Sequence, residues 1–327
     1  MKIKAQRWGC RWAIVGLLSL AGAVRSALAQ QPALSDLGAV APAAPQAFQQ
    51  ARTLMLAGRF ADAEHILRDY LRKDERSGEA HELLGNALLR EDKPQDALGE
   101  YTQAAALEQP SSHMLQQVSK AYVLLNDNQD ADKWGLHAVE MDPKDADAWY
   151  NLGRVRYTEQ RFSDAASCFQ HVLQLAPKAV KAENNLGLSY EAMNRMDDAE
   201  AAYRQAIAWQ DAGPASEKSE QPLLNLGIIL LHQGQLAEAE SLLETAVKLA
   251  PADPQVREQL GHVYLQQSKF AAAQVELARA CELDPGKSGL HFLLGQTYKH
   301  LGQKKQAEAE FAISAKLAQN DASPYVR

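Results

Sequence analysis

Apolar residues fall along this chain at the spacing of helices that lie on a core. Leu223, Leu226 and Leu230, then Ala239, Leu243, Ala246 and Val247, follow the i, i+3, i+4, i+7 pattern of two amphipathic helices, and Gly234 breaks the chain between them. Pro251 ends the second helix, as Pro143, Pro177 and Pro285 end others. The pattern recurs. Ala63, Ala97, Ala131, Ala165, Ala199, Ala239, Ala273 and Ala307 stand at intervals of 34, 34, 34, 34, 40, 34 and 34 residues. A second ladder runs through Gly85, Gly153, Gly187, Gly227, Gly261 and Gly295, with Ala51 and Ser119 in the remaining places, 12 residues before its alanine partner. Small residues in two registers are what two helices need where their backbones approach closely. A helix pair of this kind cannot bury its apolar faces alone, so neighbouring pairs are expected to stack.

The period and its residues resemble the tetratricopeptide repeat family, whose unit reads W-x2-L-G-x2-Y, A-x3-F, P. The clearest copy carries Trp149, Leu152, Gly153, Ala165, Phe169 and Pro177, with Arg156 where tyrosine is usual. The resemblance implies an all-α, right-handed α-solenoid of about eight helix-turn-helix repeats. In steps of 34 these fall at 44–77, 78–111, 112–145, 146–179, 180–213, 220–253, 254–287 and 288–321, with a six-residue insert at 214–219 and a tail at 322–327. The insert is polar and predicts a bend. Ser119 and Gly135 predict that the third repeat is the loosest, with Trp134 filling the gap. No further capping helix is expected after the eighth repeat, which leaves Phe311 and Leu317 on an apolar end.

Composition refines this picture. The chain has 327 residues, 46% hydrophobic and 23% charged, with a formal charge of −7. Residues 1–29 carry Lys2, Lys4, Arg7, Arg11 and Arg25 and no acid, then an uncharged run from Trp12 to Val24, and Ala27-Leu28-Ala29 before Gln30. That order is expected of a cleavable secretory signal peptide cut after Ala29, which places the remainder in a periplasm or outside the cell; an uncleaved anchor is the alternative. Residues 30–43 read as a flexible Ala/Pro leader. Without the five positive charges the formal charge becomes −12, so neither nucleic acid nor stable membrane insertion is expected.

Catalytic motifs are missing: no P-loop, G-x-G-x-x-G, H-E-x-x-H or G-x-S-x-G occurs. The expectation is a protein that is not an enzyme and needs no cofactor and no metal. Cys168 and Cys281 read as packing residues, and His232, His262 and His300 are spaced too widely to converge on one ion.

Function is therefore sought on a surface. By the resemblance, the first helix of each repeat lines a concave groove through positions 2, 5, 6, 9, 12 and 13 of the unit. Position 6 holds Gln49, Leu83, Gln117, Asn151, Asn185, Asn225, Gln259 and Leu293. Amides pair with both the N–H and the C=O of a peptide unit, so this row implies either a ladder gripping an extended segment or ties between adjacent helices. Lys120, Arg154 and Lys181 with Tyr150 and Tyr157 surround it. Lys120, Asn151 and Lys181 partly resemble a carboxylate clamp, although Gln116, Lys120 and Asn185 depart from it. Leu224, Ile228 and Phe292 are expected as apolar contacts. The resemblance thus implies a scaffold or adaptor for a protein or peptide partner; a self-associating envelope component, as a homodimer through the C-terminal repeat, is the alternative.

Overall fold

A computed structural model describes residues 45–215 and 218–321. The segments expected at 1–29 and 30–43 and the tail at 322–327 lie outside these residues. The chain divides into two compact units, residues 1–159 and 160–327. The first contains α1 (Gln46–Leu56), α2 (Phe60–Leu71), α3 (Gly78–Arg90), α4 (Pro94–Leu107), α5 (Ser112–Leu124), α6 (Asn128–Met141) and α7 (Ala146–Thr158). The second contains α8 (Phe162–Leu175), α9 (Val180–Ala192), α10 (Met196–Asp211), α11 (Gln221–His232), α12 (Leu236–Leu249), α13 (Pro254–Gln266), α14 (Phe270–Leu283), α15 (Ser288–His300) and α16 (Lys304–Asp321). Every regular element among the described residues is a helix, and the architecture is an all-α solenoid of helix-turn-helix repeats. None of these helices is long and apolar enough to cross a membrane.

Within each unit, helices pack on their sequence neighbours, and odd-numbered helices also touch: α1 with α3, α3 with α5, α5 with α7, and in the second unit α11 with α13 and α13 with α15. The alanine ladder lies inside, with all eight members buried. The glycine ladder lies opposite large side chains. A Cβ on Gly85 would sit 2.6 Å from the Tyr101 ring, and one on Gly227 2.8 Å from Leu243. Such spacing excludes any side chain and lets a bulky residue of the second helix seat directly on the backbone of the first.

The third repeat solves the same contact differently. Ser119 is buried and donates its hydroxyl to the Ala131 carbonyl at 2.7 Å. Opposite it, Gly135 leaves room for Leu152, whose Cδ1 lies 3.2 Å from where a Cβ would be. Trp134 is half-buried against the core of the first unit.

Each turn between the paired helices contains one residue with positive φ: Gly58, Asp92, Asn126, Gln160, Asn194, Gly234, Ser268 and Gly302, between 58° and 75°. Only three are glycine, so the left-handed step is imposed by the packing around it rather than by residue preference alone. The insert is tied to α10: the Ser219 amide donates to Oε1 of buried Gln210 at 3.2 Å, and Lys218 pairs with Asp211 at 2.8 Å.

Candidate functional site

Position 5 of the odd-numbered helices is where the structure departs most from the expected groove. Phe48, Gln116, Asn184, Leu224 and Glu258 all occupy it and all are buried. Neighbouring residues show the reason. Asn151 on α7 donates to Gln116 at 3.1 Å, Asn225 on α11 donates to Asn184 at 3.0 Å, and Lys287 ahead of α15 pairs with Glu258 at 2.6 Å. Position 5 is therefore the seat for the next repeat.

Leu224, expected as a ligand contact, is only 1% exposed and belongs to the core; that assignment is corrected. Ile228 is half-buried against the same core. Phe292 is the position-5 residue of the last repeat, and it is 48% exposed because no described helix packs beyond it. It lies 5.7 Å from the Phe311 ring.

The amide row is engaged internally at two of its places. Asn151 and Asn225 spend a donor each on the preceding repeat, the tie between helices that the residue types also allowed. Gln116 is itself held by Asp145, which accepts from its amide at 2.7 Å while capping the N-terminus of α7 through Ala148 and Asp147. Gln117 lies beside His113, 3.2 Å away, and Asn185 is half-buried. Gln259 is half-buried and has no hydrogen-bond partner for its side chain among the described residues.

Charge is distributed unevenly. On the faces formed by the even-numbered helices and turns, several cations are paired: Arg204 with Glu238 at 2.5 Å, Lys269 with Glu240 at 2.6 Å, and Lys93 with Glu64 at 2.9 Å. On α5 and α7, Lys120 and Arg154 are exposed and have no ion-pair partner among the described residues. Desolvation of the Lys120 ammonium lowers its pKa below the ordinary value; Asp147 opposes this, and the charges of Arg154 and Arg90 add to it. Arg90, at the end of α3, lies 5.0 Å over the Phe60 ring. It belongs to this basic group although sequence reasoning passed over it; its place at position 13 of its repeat was the available signal. Tyr150 and Tyr157 are half-buried on α7. In the second unit Lys181 is exposed at the start of α9.

Histidines follow no single rule. His300 stacks on Phe270 with centroids 4.4 Å apart, and His262 has its pKa lowered, first by burial, with His232 also disfavouring its charge. Cys168 and Cys281 are buried and not joined in a disulfide, and burial above all pushes the Cys281 thiol up to about 12.

Comparison with solved structures agrees with this architecture. A tetratricopeptide repeat protein from Parabacteroides merdae superposes with a TM-score of 0.59 at 18% identity, covering 77% of this chain and 97% of that one. The type IV pilus biogenesis factor PilW gives 0.56 at 21% identity, with 65% and 95% covered. The Cut9–Hcn1 hetero-tetramer of APC/C gives 0.58 at 17% identity over 84% of this chain, which spans about half, 53%, of that chain's length. At these identities the likeness concerns the fold. No curated protein matches the chain. Tetratricopeptide repeat profiles match residues 48–113, 146–179, 178–252 and 264–326, and the chain belongs to the tetratricopeptide repeat family.

Proposed function

We propose that this protein is a non-catalytic adaptor whose odd-helix face in the first unit binds an extended protein segment bearing carboxylates. The observation that carries this reading is the placement of two exposed cations without an ion-pair partner among the described residues, Lys120 and Arg154, on α5 and α7, odd-numbered helices that touch. Unpaired cations on a face with half-buried tyrosines offer charge-assisted hydrogen bonds to a side-chain or terminal carboxylate. The amides contribute less than a full ladder, because Asn151 and Asn225 already bond to Gln116 and Asn184. The proposed place of action, outside the cytoplasm, rests on the basic, apolar and small residues of positions 1–29.

The test is fluorescence anisotropy with a pool of labelled acidic peptides, each made with a free and an amidated C-terminus, against the parent and Lys120→Ala/Arg154→Ala. The double variant is expected to weaken binding about tenfold or more, with a reduced salt dependence. Because the Lys120 ammonium deprotonates below the ordinary lysine range, affinity should fall as pH rises through that lowered value. Equal affinity of parent and variant would refute the assignment.

Self-association is the second reading, favoured by Phe292, whose seat for a following repeat is uncovered. A second copy covering it would make the sedimentation coefficient rise with concentration, and Phe292→Glu would abolish that rise.

A further inference from the structure

Cys281 near the end of α14, His291 in the first turn of α15 and Glu310 on α16 bring one sulfur, one ring nitrogen and one carboxylate oxygen within 4.8 Å of one another. Cys281 is 8% exposed and His291 7%. The three residues come from three successive helices, so chain spacing alone gave no sign of them, and the sequence reading assigned Cys281 to packing.

The imidazole is oriented for ligation. His291 Nε2 lies 3.1 Å from the Pro285 carbonyl, which can only accept, so Nε2 carries the proton. Nδ1 then faces Glu310 Oε2 at 2.7 Å, with the sulfur beside them. A ring whose second nitrogen donates to a backbone carbonyl is the usual arrangement around a metal-bound histidine. Tetrahedral zinc holds N and O ligands about 3.4 Å apart, so Glu310 needs to withdraw by about 0.7 Å from its present 2.7 Å; its side chain is 20% exposed.

The chain supplies its own comparison six repeats earlier. His81 lies 2.6 Å from Glu100 and its Nε2 lies 3.2 Å from the Glu75 carbonyl, at the equivalent positions. There, however, Leu71 stands in the place of Cys281, and Arg68 approaches Glu100 to 3.9 Å where the later repeat has Ala278. The His–Glu–carbonyl arrangement is thus a device for joining helices. The second copy differs by gaining a thiol and losing the cation that would repel a metal. Glu310 and Asp284 act on the sulfur with negative charge, as does Glu258, the last moderated by Lys287.

We propose that Cys281, His291 and Glu310 form a binding site for zinc, with the fourth position left to water. A sulfur, nitrogen and oxygen donor set suits a borderline-soft divalent ion better than calcium or magnesium. Binding replaces the thiol proton and the proton shared by His291 and Glu310, both released to solvent, and clips α14, α15 and α16 together.

The test uses the full chain carrying Cys10→Ser and Cys168→Ala, so that Cys281 is its remaining cysteine, freed of metal and titrated with Co2+. One equivalent should bind with a sulfur-to-cobalt charge-transfer absorption that Zn2+ bleaches. Cys281→Leu should retain its helical circular dichroism, since leucine fills the same place at Leu71, lose the absorption, and bind Zn2+ at least about a hundredfold more weakly. Glu310→Gln should weaken binding while keeping the sulfur band. No uptake of Co2+ or Zn2+ by the parent, uptake without a sulfur band, or uptake retained by Cys281→Leu would each overturn the proposal.

Discussion

Tyr101 rests on the backbone of Gly85: its ring carbon Cε1 lies 2.6 Å from the position a Cβ on that glycine would take. The phenol is buried and donates to Asn86 at 2.8 Å, so the ring cannot rotate away without losing that bond. Gly85→Ala is therefore expected to destabilise the protein by about 1–3 kcal/mol through overpacking. Gly99, on α4, has nothing within 4 Å of its missing Cβ, and Gly99→Ala should stabilise by about 0.5–1 kcal/mol. Urea denaturation of the two variants should move the midpoint in opposite directions; the same direction for both would remove the steric explanation.

Gln116 joins two repeats, accepting from Asn151 and donating to Asp145. A double-mutant cycle with Gln116→Ala and Asn151→Ala is expected to give a coupling of about 0.5–1.5 kcal/mol. Additive effects within about 0.3 kcal/mol would mean that the bond does not contribute to stability.

Ser268 holds φ at 59° between α13 and α14, where Gly234 and Gly302 hold the same turn in the flanking repeats. Its Cβ crowds the backbone there. Ser268→Gly should stabilise by about 0.5–1 kcal/mol, the relief of strain outweighing the entropy of the unfolded glycine. A thermal midpoint lower than that of the parent would show that Ser268 makes a contact worth more than its strain.

Glu64 accepts from Lys93 at 2.9 Å and Arg68 at 2.7 Å, which pull its pKa from 4.5 down to about 2. A carboxylate with a lowered folded pKa contributes stability above its ordinary value, and that contribution disappears as pH falls from about 4.5 to about 2. Solvent near these long side chains keeps the amount below about 1 kcal/mol. Denaturant melts should find Glu64→Gln less stable than the parent near neutrality, with the gap closing at about pH 2. A gap unchanged with pH would assign the loss to packing instead.

Much of the fold was legible in the sequence because its contacts are local and repeated. A 34-residue period places one alanine and one small residue in the same environment each time, and all the ladder alanines are buried as that period requires. The turn at each left-handed residue was less visible: Gly58, Gly234 and Gly302 signal it, whereas Gln160 and Ser268 do not.

The proposed binding surface was less legible than the fold, since a residue's position in the unit does not say which neighbour claims it. Asn151 and Asn225 look equally suited to a ligand and to an adjacent helix, and the neighbours Gln116 and Asn184 claim them. Leu224 reads as an exposed contact until the next helix covers it. Cys281 reads as a packing residue, and His291 and Glu310 join it only when three helices are stacked. Sequence by itself thus determined the repeating helix pair and its buried small residues, because those follow from periodicity and van der Waals size. Tertiary structure decided which polar groups are spent on neighbouring repeats, because hydrogen bonds and ion pairs depend on sub-ångström placement that no period encodes.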